Sequence, residues 1–145
     1  MTKPKISIGS DHAGFSLKVK VMNHLLDKGY RVQDFGCYSE ERADYTDYGH
    51  AVAKSVANGE SGLGIIICGS GNGINMSANK HAGIRSALCW SAEIARLARE
   101  HNDANILALP ARFITEKEAL EATDTFLNTP FEGGRHLDRV KKIDC

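Results

Sequence analysis

Leu63-Gly64-Ile65-Ile66-Ile67-Cys68-Gly69-Ser70-Gly71-Asn72-Gly73-Ile74-Asn75 is the stretch whose reading decides the fold. Ile65 to Ile67 is a β-branched run with no alternating polar residue, so it reads as a strand buried on both faces. Cys68 stands at the C-terminal lip of that strand. Gly69 to Gly73 carries so few side chains that its backbone N–H groups can face a ligand. The segment after it, 74–80, predicts the first turns of a helix, whose free N–H groups and dipole favour an anion. A thiol beside an oxyanion cradle suggests chemistry. The same residues also suit a plain strand-to-helix connection, with the cysteine serving as a small hydrophobe. Neither common nucleotide loop is present. Ile74 stands where the third glycine of G-x-G-x-x-G belongs, and no Gly-Lys-Ser/Thr follows.

Outward from this stretch, strand and helix patterns alternate. Upstream, 6–9 reads as a first strand that ends in Ser10-Asp11-His12-Ala13-Gly14. A helix is expected over about 15–28, with Leu17, Val21 and Leu25 at helical spacing and Gly29 to close it. A second strand over 30–35 leads into a polar loop, 36–44, and then a helix over about 47–58. Downstream, 84–90 is a fourth strand, and Ser91 is the N-cap of a helix to about 101. A fifth strand covers 106–109. Thr115-Glu116-Lys117-Glu118 is a capping box that opens a helix to about 127. Pro130 and Gly133-Gly134 break the chain before a last basic helix over 135–143. This alternation predicts an α/β fold, three-layer and Rossmann-like, on a five-stranded parallel sheet.

The 145 residues fit one domain, 1–145, with room for a core. Lysine plus arginine number 18, as do aspartate plus glutamate, so no net field points to nucleic acid or to a membrane. Cys37, Cys68, Cys89 and Cys145 are scattered, without C-x-x-C or zinc spacing, which fits reduced thiols in a cytoplasmic protein. The N-terminal stretch has no signal-peptide core, and no apolar run approaches a membrane span.

In open parallel sheets ligands bind at the carboxyl ends of strands, near a switch in strand order. If the first and third strands are neighbours, Asp11 and His12 share a cleft with Cys68. Locally, Asp11 also suits a turn that caps the following helix. His101-Asn102-Asp103 follows a helix C-terminus, where a histidine is favoured by the dipole alone. Arg135 and Arg139, four apart, share a helix face. With Arg112 and Lys142 they could grip a phosphate, or they could form a solvated basic face. His24, His50 and His81 read as structural or surface residues. A base, an oxyanion cradle, acid candidates and a phosphate grip are what proton shuttling α to a sugar-phosphate carbonyl requires. Backbone N–H groups stabilise the enediolate, and a thiolate is a workable base.

The stretches IGSDHAGF, CGSGNGINMSANKHAGIR, AREHNDANILALPAR and EGGRHLDRV resemble those of the type B ribose-5-phosphate isomerases, a family that includes galactose-6-phosphate isomerase subunits. The resemblance runs from Ile6 to Val140. It implies interconversion of ribose 5-phosphate and ribulose 5-phosphate through an enediolate, with no cofactor and no metal. By the same resemblance Cys68 is the base, and the loop Gly69, Ser70, Gly71, Asn72 and Gly73 holds the enediolate oxygen. His101 opens the furanose ring with help from Asp11, while His12, Asn102, Arg112, Arg135 and Arg139 bind substrate or its phosphate. Some members use a glutamate after the glycine loop as base. Ile74 stands there in this chain, which places it with the cysteine type. The resemblance also implies a homodimer, sometimes paired into a tetramer, with an active site shared between subunits. Alternatives are an isomerase for a six-carbon 6-phosphate, such as allose or galactose 6-phosphate, and a non-catalytic sugar-phosphate binding module. A thiol redox role is disfavoured, because Cys68 has no resolving cysteine nearby in sequence.

Overall fold

The structure, a computed structural model, describes residues 3–144. Along the chain the elements are β1 (Ile6–Ser10), α1 (Phe15–Asp27), β2 (Val32–Asp34), α2 (Tyr45–Ala57), β3 (Leu63–Cys68), α3 (Asn72–Ala78), β4 (Ser86–Leu88), α4 (Ala92–Asn102), β5 (Ile106–Pro110), α5 (Glu116–Asn128) and α6 (His136–Lys141). The five strands form one all-parallel sheet in the order β2-β1-β3-β5-β4. The expected α/β architecture is therefore present, with β1 and β3 adjacent as the cleft argument needed.

The side-chain alternation of β3 divides the core between the two faces of the sheet. Ile65 and Ile67 pack with Ile8, Leu107 and Leu109 against Val21, Leu25, Ala95 and Phe126 of α1, α4 and α5. Ile66 and Cys68 point the other way, onto Val52, Val56, Ile74 and Ala78 of α2 and α3. Each of the three isoleucines is fully buried, worth roughly 1.5–3 kcal/mol of transfer free energy apiece. On the α2 side of β1, Ser7 takes the place of an apolar residue. Its hydroxyl joins those of Ser55 and Ser61 in a closed buried ring, so none of the three is left unpaired.

The edge strands are shorter than their sequence patterns suggest. β2 pairs along three residues, Val32 to Asp34, and β4 along three, Ser86 to Leu88, since each has a neighbour on one side only. The outer edge of β4 is closed by a side chain: Asn79 Oδ1 accepts from the Ser86 N–H at 2.8 Å and Asn79 Nδ2 donates to its carbonyl at 2.9 Å. α2 begins two residues before the expected start, at Tyr45, behind Asp44 in extended conformation. α6 is shorter than expected at both ends, with Arg135 as its N-cap rather than its first helical residue. The two capping readings hold. Ser91 accepts from the Ile94 N–H, and Thr115 and Glu118 form a reciprocal capping box.

Candidate active site

At the C-terminal pole of the sheet the strand ladders continue past the strand ends. Asp11 N–H donates to the Ile67 carbonyl at 3.2 Å, Ala111 N–H to that of Cys68 at 2.9 Å, and Arg112 N–H to that of Gly69 at 2.9 Å. On the other flank Ser10 N–H donates to Gly36 at 2.7 Å and Cys37 N–H to Ser10 at 2.8 Å. The loops after β2, β1, β3 and β5 are thus knitted into one platform. Gly14 permits the closest approach, because a Cβ there would lie 2.6 Å from the Ile67 carbonyl oxygen. The structure brings together here Asp11, His12, Cys68, the 69–73 loop and Arg112.

Each of these side chains is held in a definite way. Cys68 is 4 % exposed, its sulfur at the boundary between the apolar cluster and the loop. Asp11, nearly as buried, accepts from the Gly14 N–H at 3.1 Å, so it closes the turn into α1 from within the platform. The local turn reading of Asp11 is therefore correct, and the same turn leaves it beside the β3 loop. His12 Nδ1 lies 3.2 Å from both the N–H and the carbonyl of Ala43. A neutral ring accepts from the N–H, and a protonated ring donates to the carbonyl. Nε2 carries a proton in both states, which makes His12 a hydrogen-bond donor toward an anionic ligand.

The glycine loop presents its backbone. Gly71 has φ +78°, and a Cβ there would lie 2.4 Å from Leu88 Cδ1, so glycine is required on both counts. The Ser70 hydroxyl accepts from the Asn72 N–H at 3.3 Å. The N–H groups of Gly69, Ser70 and Gly71 donate to nothing among the described residues. Three consecutive unpaired donors beside a thiol form an anion cradle. Arg112 lies over the loop, its Nη1 3.2 Å from where a Gly69 Cβ would sit.

The remaining candidates lie elsewhere. α4 returns antiparallel to the strands, so its C-terminus, with His101 and Asn102, reaches the opposite pole, just before β5 begins. Arg99 and Arg85 both grip Asp103, at 2.9 Å and 3.4 Å, and fix that helix end. The segment after α5 packs there as well, with Glu132 N–H donating to the Glu100 carbonyl at 3.0 Å. α6 therefore sits against α4 with Arg135 and Arg139 exposed. The length of β5, on the order of 13 Å, separates the poles. The expectation that Arg112 joins Arg135, Arg139 and Lys142 in one grip fails within a single chain. Arg112 follows β5 at one pole, and the other three are on or beside α6 at the other.

Two features gave no sequence signal. Lys18 sits in the apolar stripe of α1 and is 1 % exposed. Its ammonium donates to Asp34 Oδ1 at 2.6 Å and to the Cys37 carbonyl at 2.7 Å, tying the loop after β2 to α1. His136 stacks on His101 with ring centroids 4.3 Å apart, a contact between segments far apart in sequence.

Comparisons with known proteins agree with this geometry. The Ribose/Galactose Isomerase family pattern matches residues 6–143. Ribose-5-phosphate isomerase B of Escherichia coli K12 is 46% identical over 139 residues, covering 96% of this chain and 93% of that protein. A ribose 5-phosphate isomerase of Thermotoga maritima superposes with TM-score 0.97 at 53% identity, covering 99% of each chain. Ribose-5-phosphate isomerase B of Mycoplasma genitalium, solved with bound ribulose-5-phosphate, gives TM-score 0.91 at 45% identity, covering 96% of this chain and 93% of that one. The chain belongs to the ribose/galactose isomerase family.

Proposed function

We propose that this protein interconverts ribose 5-phosphate and ribulose 5-phosphate, acting as one sugar-phosphate isomerase domain. The observation that carries the reading is the buried Cys68 thiol beside three unpaired backbone N–H groups, under Arg112. In the open-chain aldose, the Cys68 thiolate takes the proton from C2. The electron pair moves into the C1–C2 bond, and the former carbonyl oxygen gathers negative charge against the N–H groups of 69–71. The same thiol returns its proton to C1, while a second proton passes from the oxygen on C2 to the oxygen on C1. No electrons leave the substrate, so no carrier is required. His12, as a constant donor, and Arg112 hold substrate oxygens at this pole.

Ring opening and the phosphate grip fall to His101, Asn102, Arg135 and Arg139, with Asp11 assisting His101. Since the chain holds these at the far pole, we infer that a second copy supplies them in a homodimer. The exposed Tyr38 and Phe113 at the Cys68 pole, and the half-exposed Leu137 and Ile143 at the α6 pole, provide apolar surface for that contact. Phosphorylated sugars do not cross membranes, which places the enzyme in the cytoplasm with its substrate. No helix among the described residues is long and apolar enough to cross a membrane.

The test is kcat/KM for ribose 5-phosphate and for allose 6-phosphate, on wild type and Cys68→Ala, with chelator present. A five-carbon preference is expected, with turnover lowered about 10²–10⁴-fold in the variant. Six-carbon preference would move the substrate and keep the mechanism. Undiminished turnover without Cys68 would remove it as base, and inactivity of wild type on both sugars would overturn the isomerase reading.

A further inference from the structure

His101, Glu132 and His136 each offer one ligand atom, and the three atoms lie within 4.8 Å of one another, the one such group of three found among the described residues. They come from three places: the end of α4, the segment after α5, and the first turn of α6. His136 is 5 % exposed, and its Nε2 is buried with no hydrogen-bond partner. Its nearest acidic atom, Glu132 Oε1, is at 3.6 Å, too long for a hydrogen bond. A buried imidazole nitrogen left unpaired costs roughly 1–3 kcal/mol, which a ligand at that atom would recover.

We propose that His101, Glu132 and His136 form a binding site for a divalent transition-metal ion of the Zn²⁺ type, whose occupation withdraws His101 from catalysis. Two imidazoles and a carboxylate are a donor set that zinc takes with bonds of about 2.0–2.2 Å. In a tetrahedron such bonds put donor atoms roughly 3.4 Å apart. The His136–Glu132 separation of 3.6 Å nearly matches this already. His101, partly exposed at its helix end, and Glu132, exposed on a loop, need side-chain rotation alone to close on the third corner. The fourth position faces outward and is open to water or to a substrate oxygen.

The segment that carries Glu132 is fixed to α4 by its backbone bond to Glu100, so the ligands are preassembled apart from those rotations. Arg135 and Arg139 lie on the same short segment, and their charge opposes a cation. The site should therefore be reversible and chelator-sensitive rather than structural. Binding displaces any proton on the two rings, so affinity rises from acid to neutral pH. The binding claim is independent of the isomerase reading. Its inhibitory consequence rests on that reading, through His101.

The test is a Co²⁺ titration of the untagged full chain, followed by visible absorption, on wild type, Glu132→Gln, His136→Gln and Cys68→Ala. The expected result is a saturable spectrum of a nitrogen–oxygen site without a thiolate charge-transfer band. It should be unchanged in Cys68→Ala and weakened more than about tenfold in Glu132→Gln, whose side chain is half exposed and whose fold should persist. Zn²⁺ should inhibit wild-type turnover, EDTA should reverse this, and Glu132→Gln should keep its turnover and lose the sensitivity. Absence of Co²⁺ binding, equal binding in Glu132→Gln, or a thiolate band lost in Cys68→Ala would each overturn the site. The cobalt spectrum reads binding whether or not the protein proves to be an isomerase.

Discussion

Cys68 and Cys89 are both buried thiols at strand ends, and the fold gives them opposite surroundings. Cys68 ends β3 beside a loop with free N–H donors. Cys89 follows β4 inside the apolar cluster shared with Ala95 and Leu107, and burial pushes its thiol up to about 12. The native chain thus holds the Cys89 proton to about pH 12, whereas the unfolded chain releases it near the ordinary value of 9.0. Above pH 9 the unfolded state binds fewer protons than the native one, so this group's stabilising contribution is complete below pH 9. It is lost upward at about 1.4 kcal/mol per pH unit until both states are ionised. Denaturant midpoints from pH 8 to about 10.5 should fall less steeply in Cys89→Ala than in wild type. Parallel curves would show that Cys89 is not insulated. Sequence could single out Cys68 through its glycine neighbours. It could not tell that Cys89 is unreactive, because burial belongs to the packed helices.

On the scale of elements, the loop after β2 is placed by one side chain of another element. The Lys18 ammonium reaches Asp34 and the Cys37 carbonyl from α1, and Cys37 in turn bonds Ser10 beside Asp11. Lys18→Met keeps the apolar length and removes the charge, leaving Asp34 and a carbonyl without their donor. The expected loss is about 2–4 kcal/mol, held below that of a fully buried pair because Asp34 is partly exposed to water. Urea unfolding measures it, and a change under 1 kcal/mol would mean that water replaces the ammonium. A lysine among Leu17, Val21 and Leu25 reads as a solvated position, and only the neighbouring strand end explains it. The central strands, by contrast, were legible. Ile65 to Ile67 and 106–109 are apolar on both faces because both faces are covered. The edge strands were read too long, since local apolar content does not report whether a pairing partner exists.

For the whole molecule, the decisive fact is polarity. Helices run back against the strands, so residues after strands gather at one pole and residues after helices at the other. Cys68 and His101 therefore cannot meet within one chain. If two chains share each site in a twofold dimer, two inactive variants should complement. Cys68→Ala and His101→Ala, unfolded together and refolded as a mixture, should regain about a quarter of wild-type activity, from heterodimers with one intact site of two. No recovery from a mixture proven to contain heterodimers would overturn the shared site.

Sequence by itself determined the alternation of elements, the buried central strands, the glycine loop and its thiol, and the two true caps. Each of these is written in local spacing, and local spacing fixes periodicity, turns and caps. Tertiary structure alone decided three further matters: that Arg112 stands apart from Arg135 and Arg139, that Lys18 is buried, and that His136 stacks on His101. Those depend on which strands become neighbours and which way each helix returns, choices settled by packing between segments far apart in the chain.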